Sequence, residues 1–248
     1  MLITGHPQFE TQTDAGFGHG IPPIPEWQLD FPASHDHHPL PNFSSLAGVD
    51  HQVANVFLRL QNVFQRAHKT PLSPTQLHDL TCFVIHRLLL SSSSSNDPRP
   101  PLTSCVRDAT VLYMFIIQGP TYFSHAVIFN QVLDRFARNF EQLQHQHTRS
   151  ASLLIHHTLQ VWFVAVGMVA CVGTPRYRWF AEQAASSINK VASGWADVLG
   201  LLRSVLWLET PQAEAVFRPH WDAVLDGGGG RLAEPPDELL RKGAAGFI

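Results

Sequence analysis

Histidine and cysteine are the residue types whose spacing in this chain could support metal or acid–base chemistry. On a helix predicted to begin at Ser73, His78, Cys82 and His86 recur every four residues, which places them along one face. Neighbouring side chains at this interval can share a metal ion, but three in line span about 12 Å of helix and cannot all reach one ion. We therefore interpret them as core and boundary residues.

The other histidine clusters lack the partners that a site needs. His35–His38 lies in a proline-rich stretch, where we expect solvated side chains rather than a fixed four-ligand geometry. His156 and His157 are adjacent, so on a helix they point about 100° apart, and no nucleophile or orienting acid is near them in sequence. The same reasoning applies to His145 and His147. We predict no catalytic residue, no cofactor and no metal site.

Sequence motifs for common enzyme classes are also missing. The chain has no phosphate-binding GxxxxGK[ST], no GxGxxG, no GxSxG and no HExxH. It also lacks the paired aspartates of an all-α metal-dependent cyclase. We therefore expect a non-catalytic protein.

Charge composition argues against direct nucleic-acid binding. The formal net charge is -3, and neither the whole chain nor any run within it carries a surplus of lysine and arginine. A DNA-binding domain normally needs that surplus to displace counterions from the phosphates. Only 15% of the residues are charged, which indicates that much of the helical surface is buried or meets a partner.

Cysteine usage and the N-terminal sequence bear on the cellular compartment. Cys82, Cys105 and Cys171 are far apart in apolar segments, without CxxC spacing, which is typical of free thiols in a reducing compartment. The first residues have neither the basic nor the apolar region of a signal peptide. We expect an intracellular protein.

The stretch from Ala151 to Phe180 must form the centre of the structure that carries these side chains. It has no charged residue as far as Gly173, so a helix here needs neighbours on nearly every face. A membrane span needs about 20 apolar residues, whereas only Leu159 to Val172 is continuously apolar apart from one glutamine. We therefore predict a buried central helix that ends at Gly173, with Thr174-Pro175 starting the next helix.

Helical periodicity continues along the rest of the chain. Asp50 is a predicted N-cap, Ser73 and Gln76 form a capping-box pattern, and Thr210-Pro211 has the residue types of a helix start. Apolar residues recur every three or four positions in the segments 53–67, 77–88, 128–143, 188–205 and 217–225. Residues 105–117 are apolar on several faces, which predicts a second buried helix. Between them, Ser91 to Pro101 is a predicted surface loop. The fold class is therefore all-α, a multi-helix bundle with a largely buried central helix and a disordered N-terminal arm.

Three parts of the chain differ in composition. Residues 1–48 are rich in proline and histidine and are expected to form a disordered arm, from which Trp27, Leu29 and Phe31 could dock on the folded part. Residues 49–226 are the predicted all-α domain. Residues 227–248 begin with four glycines and are expected to be a flexible tail.

The order of the helical segments resembles the regulatory domain of fungal-specific transcription factors. The resemblance covers roughly Leu88 to Leu225, and the segments that carry it are HRLLL at 86–90, SCVRDATVLY at 104–113, the apolar run 161–170 followed by GTPR at 173–176 and WF at 179–180, WADV at 195–198, LLRSVLWLE at 201–209 and Trp221. It implies an α-helical module that, in many members, follows a DNA-binding domain with six cysteines around two zinc ions. Three cysteines without CxxC spacing do not supply that zinc cluster.

The resemblance implies a function without defining a site. We expect a nuclear, non-catalytic transcription regulator that acts through protein partners, such as a DNA-binding transcription factor or a second copy of the chain, or through a small-molecule effector. Arg107, Trp179, Trp195 and Trp207 are its signature positions, and we expect packing roles for the tryptophans and a carboxylate partner for Arg107. The alternatives are an all-α small-molecule binding protein or enzyme with a pocket lined by His156, His157 or tryptophans, and peripheral membrane association, although no membrane partner is expected.

Overall fold

The structure, a computed structural model, describes residues 23–28, 46–93, 100–119, 126–149, 157–188 and 192–227. All regular secondary structure within these ranges is helical, as the sequence predicts. In chain order the helices are α1 (Pro25–Gln28), α2 (His51–Ala67), α3 (Pro74–Ser93), α4 (Pro101–Gln118), α5 (Ala126–Arg149), α6 (His157–Ala170), α7 (Arg176–Ile188), α8 (Trp195–Val205) and α9 (Pro211–Leu225).

Helix starts follow the capping residues of the sequence. The Asp50 carboxylate accepts hydrogen bonds from the backbone amides of Gln52 (2.9 Å) and Val53 (3.2 Å) at the start of α2. At α3 the capping box is complete, because the Ser73 amide donates to Gln76 Oε1 (2.9 Å) while the Gln76 amide donates to Ser73 Oγ (3.2 Å). These contacts confirm both predicted starts.

The start of α9 is also as predicted, whereas that of α7 differs. Thr210 Oγ1 accepts a hydrogen bond from the Ala213 amide (3.1 Å), with Pro211 in the first turn of α9. Thr174 does not cap α7 in this way. Its hydroxyl donates to the carbonyl of Cys171 (2.8 Å) and so closes the turn after α6, next to Gly173, whose φ is +77°.

Helix α6 is the centre of the bundle, as predicted. It packs against α4, α5, α7, α8 and α9, and ten of its 14 residues are buried. The indole Nε1 of Trp162 donates to the Leu206 carbonyl (2.9 Å), which ties the centre of α6 to the end of α8. No helix among the described residues is long and apolar enough to cross a membrane.

Two predicted segments have different boundaries in the structure. The periodicity from 188 to 205 is not one helix, because α7 ends at Ile188 and α8 begins at Trp195 after Gly194, whose backbone is extended (φ -165°, ψ 175°). The predicted loop from Ser91 is shorter at its start, since α3 continues through Ser93. Residues 94–99 lie outside the described ranges.

Part of the predicted N-terminal arm packs against the bundle. Trp27 of α1 is 1% exposed, its ring meets Phe83 edge-on at 5.1 Å, and its carbonyl accepts a hydrogen bond from Arg59 Nη1 (3.2 Å). The predicted docking of Trp27 is therefore confirmed. Leu29, Phe31, His35–His38 and the tail after Gly227 lie outside the described residues.

Candidate functional site

A cleft of about 170 Å³ opens where the ends of α2 and α4 meet the starts of α3 and α9. Its walls are mostly aliphatic, and its polar groups are neutral amides, one hydroxyl and one carboxylate. The lining residues are Ala67, Pro71, Leu72, Pro74, Leu77, Ile117, Gln118, Leu208, Glu209, Thr210 and Gln212. An apolar recess with a few convergent polar groups is the usual form of a small-ligand site.

Residues 208–210 form one wall of the cleft, and hydrogen bonds to neighbouring residues hold them in place. The Tyr113 hydroxyl accepts a hydrogen bond from the Leu208 amide (2.9 Å) in the core, and burial raises the pKa of Tyr113 far above its usual range, so the phenol stays neutral. Glu209 is held by Arg203, whose Nη2 donates to Oε2 (2.9 Å). The Thr210 hydroxyl is engaged as the N-cap of α9. This wall is therefore preorganised.

Next to the cleft, three side chains of α3 and α4 are in contact with one another. Nε2 of His78 lies 3.7 Å from Sγ of Cys82, one turn along α3. Nε2 of Gln118, a residue that also lines the cleft, lies 2.6 Å from Nδ1 of His78. Burial, and next the Asp79 carboxylate, raise the pKa of the Cys82 thiol. These contacts link the first half of α3 to the end of α4.

This constellation differs from the metal site that the spacing of His78, Cys82 and His86 could suggest. His86 is fully buried, whereas His78 is exposed, so the three do not converge. Among the described residues, no group of three or more histidine, cysteine, aspartate and glutamate side chains is placed to hold a metal ion. The interpretation as core and boundary residues is correct for His86, which is in the core, and for Cys82, which is half-buried, whereas His78 is exposed.

Arg107 has the carboxylate partner that its apolar helix requires. Its Nε lies 3.0 Å from Oδ1 of Asp108, a residue with no solvent exposure. Arg135 of α5 binds the same carboxylate through two hydrogen bonds of 2.9 Å, and Asn139 adds a fourth donor at 3.4 Å. Arg107 is therefore part of a structural network between α4 and α5.

The signature tryptophans pack within the bundle, as expected. Trp179 contacts Phe140 and Phe180 edge-on. Trp195 and Trp207 meet edge-on at 6.2 Å, and Nε1 of Trp195 donates to a Glu214 carboxylate oxygen (3.1 Å). None of the three lines the cleft.

The histidines considered as bases have structural or surface surroundings. Nε2 of His157 lies 2.7 Å from the carbonyl of Ser187, which joins α6 to α7. His145 lines a shallow groove on the outer face of α5. His156 and the side chain of His147 lie outside the described residues.

One histidine that the sequence analysis did not single out lies in the α7–α9 interface. Nδ1 of His220 lies 2.9 Å from the hydroxyl of Tyr177, and the two rings meet edge-on at 5.4 Å. Burial lowers the pKa of His220, so this histidine is neutral at physiological pH. Next to it, the buried Nε1 of Trp221 has no hydrogen-bond partner among the described residues.

Only part of the contact between His78, Cys82 and Gln118 could be predicted from the sequence. The spacing of His78 and Cys82 predicts that they share a helix face, and the structure bears this out. Gln118 is 40 residues away from His78 in sequence and is brought to it by the packing of α3 on α4.

No protein-family profile, no curated protein and no solved structure matches the chain.

Proposed function

We propose that the chain is a non-catalytic helical regulatory module of nuclear transcription, which responds to a small neutral effector and acts through partner proteins. The observation that supports binding of an effector is the cleft of about 170 Å³ with its preorganised wall. The order of segments that resembles fungal transcription factor regulatory domains supports the role in transcription. Nuclear location and protein partners belong to the same proposal.

The lining of the cleft defines the class of effector. Leu72, Leu77 and Ile117 supply aliphatic contact, whereas the amides of Gln118 and Gln212 offer both hydrogen-bond donors and acceptors. At the packing density of protein interiors, the volume suits a ligand of about ten non-hydrogen atoms. The effector is therefore a short aliphatic compound with one neutral hydrogen-bonding group, such as an amide.

The described surface supports regulation without direct DNA contact. The exposed arginines of α7 and α9 are each paired with a carboxylate: Arg178 with Glu182 (3.0 Å), Arg218 with Glu214 (3.2 Å) and Arg176 with Asp134. Paired guanidinium groups release fewer counterions when a polyanion approaches. In this proposal the module reaches DNA through a separate DNA-binding partner.

Occupation of the cleft is testable with a fragment of the proposed class. We expect isovaleramide to shift the methyl NMR signals of Leu72, Leu77 and Ile117 in a saturable titration. Leu77→Trp should abolish saturation because the indole fills the recess. Leu201→Trp, at a partly buried leucine of α8 away from the cleft, is the matched control and should titrate like the native chain.

Two results of the titration would contradict the proposal. Shifts that do not saturate, or that persist unchanged in Leu77→Trp, would show that the cleft is not the effector site.

The second candidate function, a small-molecule binding protein without a role in transcription, is favoured by the same cleft. Recovery of DNA-binding transcription factors with the native chain, but not with Leu77→Trp, from nuclear extract would favour the regulator.

A further inference from the structure

We propose that the surface of α2 and α3 on which Trp27 packs, here called the α2–α3 groove, is a docking site for a partner protein. The partner presents one helical turn with an aliphatic residue and a tryptophan three positions apart. Residues 24–27 of this chain occupy the same groove and compete with it. This docking site rests on the proposed function, which assigns partner proteins to the chain, and it defines their kind.

The segment that lies in the groove has the anchors of a helical peptide ligand. Ile24 and Trp27 are both buried, whereas Pro25 between them is exposed. The Trp27 amide donates to the Ile24 carbonyl (3.0 Å), so the two anchors lie on one face of a single turn. Anchors at this spacing are typical of helices that bind in the apolar groove of a partner. Tryptophan is among the residue types that contribute most to such interfaces.

The groove recognises both a side chain and a backbone group. Phe83 of α3 meets the Trp27 ring edge-on at 5.1 Å. Nη1 of Arg59 donates to the Trp27 carbonyl (3.2 Å), and Nε of Arg59 donates to Oδ1 of Asn55 (3.2 Å), one turn earlier on α2. A carbonyl at the end of a helical turn has no intrahelical partner, so this donor fits any segment that ends a turn here.

The contacts in the groove do not require that the segment belong to the same chain. Residues 29–45 connect the segment to the rest of the bundle at Leu46, and a stretch of this length spans at most about 60 Å. A ligand on a short tether competes at an effective concentration on the order of 1 mM. The chain's own segment therefore weakens the binding of a partner, and loss of an anchor should open the groove.

The test is fluorescence anisotropy of a labelled synthetic peptide, IPPIPEWQLD, which has the sequence of residues 21–30, with the whole chain. We expect saturable binding to the Trp27→Ala chain. The native chain should bind at least about tenfold more weakly, because its own segment occupies the groove. A peptide that lacks Pro25, in which isoleucine and tryptophan are only two positions apart, should bind neither chain.

Further variants locate the peptide on the groove. Arg59→Met in the Trp27→Ala chain should weaken peptide binding about fivefold, the usual effect of losing one hydrogen bond. Arg178→Met is the matched control, because it removes an exposed arginine of α7 and should leave the affinity unchanged. Ile24→Ala in the otherwise native chain removes the second anchor. Its affinity for the peptide should lie between those of the native and Trp27→Ala chains.

Three results would overturn the proposal. The first is a folded Trp27→Ala chain that shows no saturable binding, or that binds both peptides equally. The second is loss of helical content in Trp27→Ala by circular dichroism, because the segment would then be part of the core. The third is a dimer of the native chain that the peptide dissociates, because the groove would then bind a second copy.

The docking site and the effector site can fail separately. None of Ile24, Trp27, Arg59 and Phe83 lines the cleft. Peptide binding without saturable isovaleramide shifts would leave the groove and remove the effector. Isovaleramide shifts without peptide binding would do the reverse.

Discussion

At the scale of single residues, the buried carboxylate of Asp108 is the charge on which the α4–α5 pair depends. It accepts hydrogen bonds from Arg107, Arg135 and Asn139 while its own side chain has no solvent exposure. A buried charge of this kind is stable only while its partners are in place. The sequence predicts that Arg107 needs a carboxylate, and the structure confirms it. Arg135 could not be assigned to the same carboxylate from spacing, because it lies on another helix.

Asp108→Asn should destabilise the chain by about 3–5 kcal/mol, the usual cost of breaking a buried ion pair. Asparagine keeps the shape but turns an NH₂ group toward guanidinium donors that it cannot bind. Urea unfolding followed by circular dichroism measures the free energy of unfolding.

The matched control for Asp108→Asn is Asp134→Asn. Asp134 is paired with Arg176, but its side chain is 60% exposed. Its replacement should change the free energy of unfolding by about 1 kcal/mol or less. Equal effects of the two substitutions would show that the Asp108 network contributes no more than a surface pair.

At the scale of elements, the close approach of α6 and α7 depends on Gly167. A Cβ atom at Gly167 would lie 2.6 Å or closer to three ring carbons of Phe180. That ring is stacked against Phe136 and Phe140, with interplanar angles of 4° and 8°, so it has little room to move. The two helices can therefore pack this closely because Gly167 has no side chain.

Gly167→Ala should lower the free energy of unfolding by about 1–3 kcal/mol, the usual cost of overpacking, even though alanine favours the helix. Gly200→Ala is the control, because a Cβ atom there has no neighbour within 4 Å and Gly200 also lies within a helix, α8. It should raise stability by about 0.5–1 kcal/mol. Thermal unfolding of both variants compares the two effects. A Gly167→Ala chain as stable as Gly200→Ala would contradict this account of the α6–α7 contact.

Helix boundaries were predictable wherever a local hydrogen bond determines them. Asp50, Ser73 and Thr210 cap their helices through contacts two or three residues away, which the sequence displays directly. The break at Gly194 was not predictable from periodicity, since the apolar spacing continues across it. An isolated glycine within such spacing is compatible with either a helix or its interruption.

At the scale of the whole molecule, the apolar content and helical spacing predicted one bundle around α6, and the described residues form it. The cleft was not predictable, because its lining comes from three separate stretches of the chain, 67–77, 117–118 and 208–212, which only the packed fold brings together. The contact of Gln118 with His78 could not be predicted from the sequence for the same reason. The charge balance, by contrast, is visible in the sequence and agrees with the paired arginines of the described surface.

We propose that the chain acts through an effector and partner proteins and does not bind DNA itself. Fluorescence polarisation of a random pool of labelled duplex DNA tests it directly, at low and at physiological salt, with a basic DNA-binding domain as the positive control. We expect no salt-dependent binding by the purified chain, because its net charge of -3 and its paired arginines displace few counterions. Binding that is clear at low salt and falls steeply with added salt would contradict this proposal and favour a direct DNA-binding role.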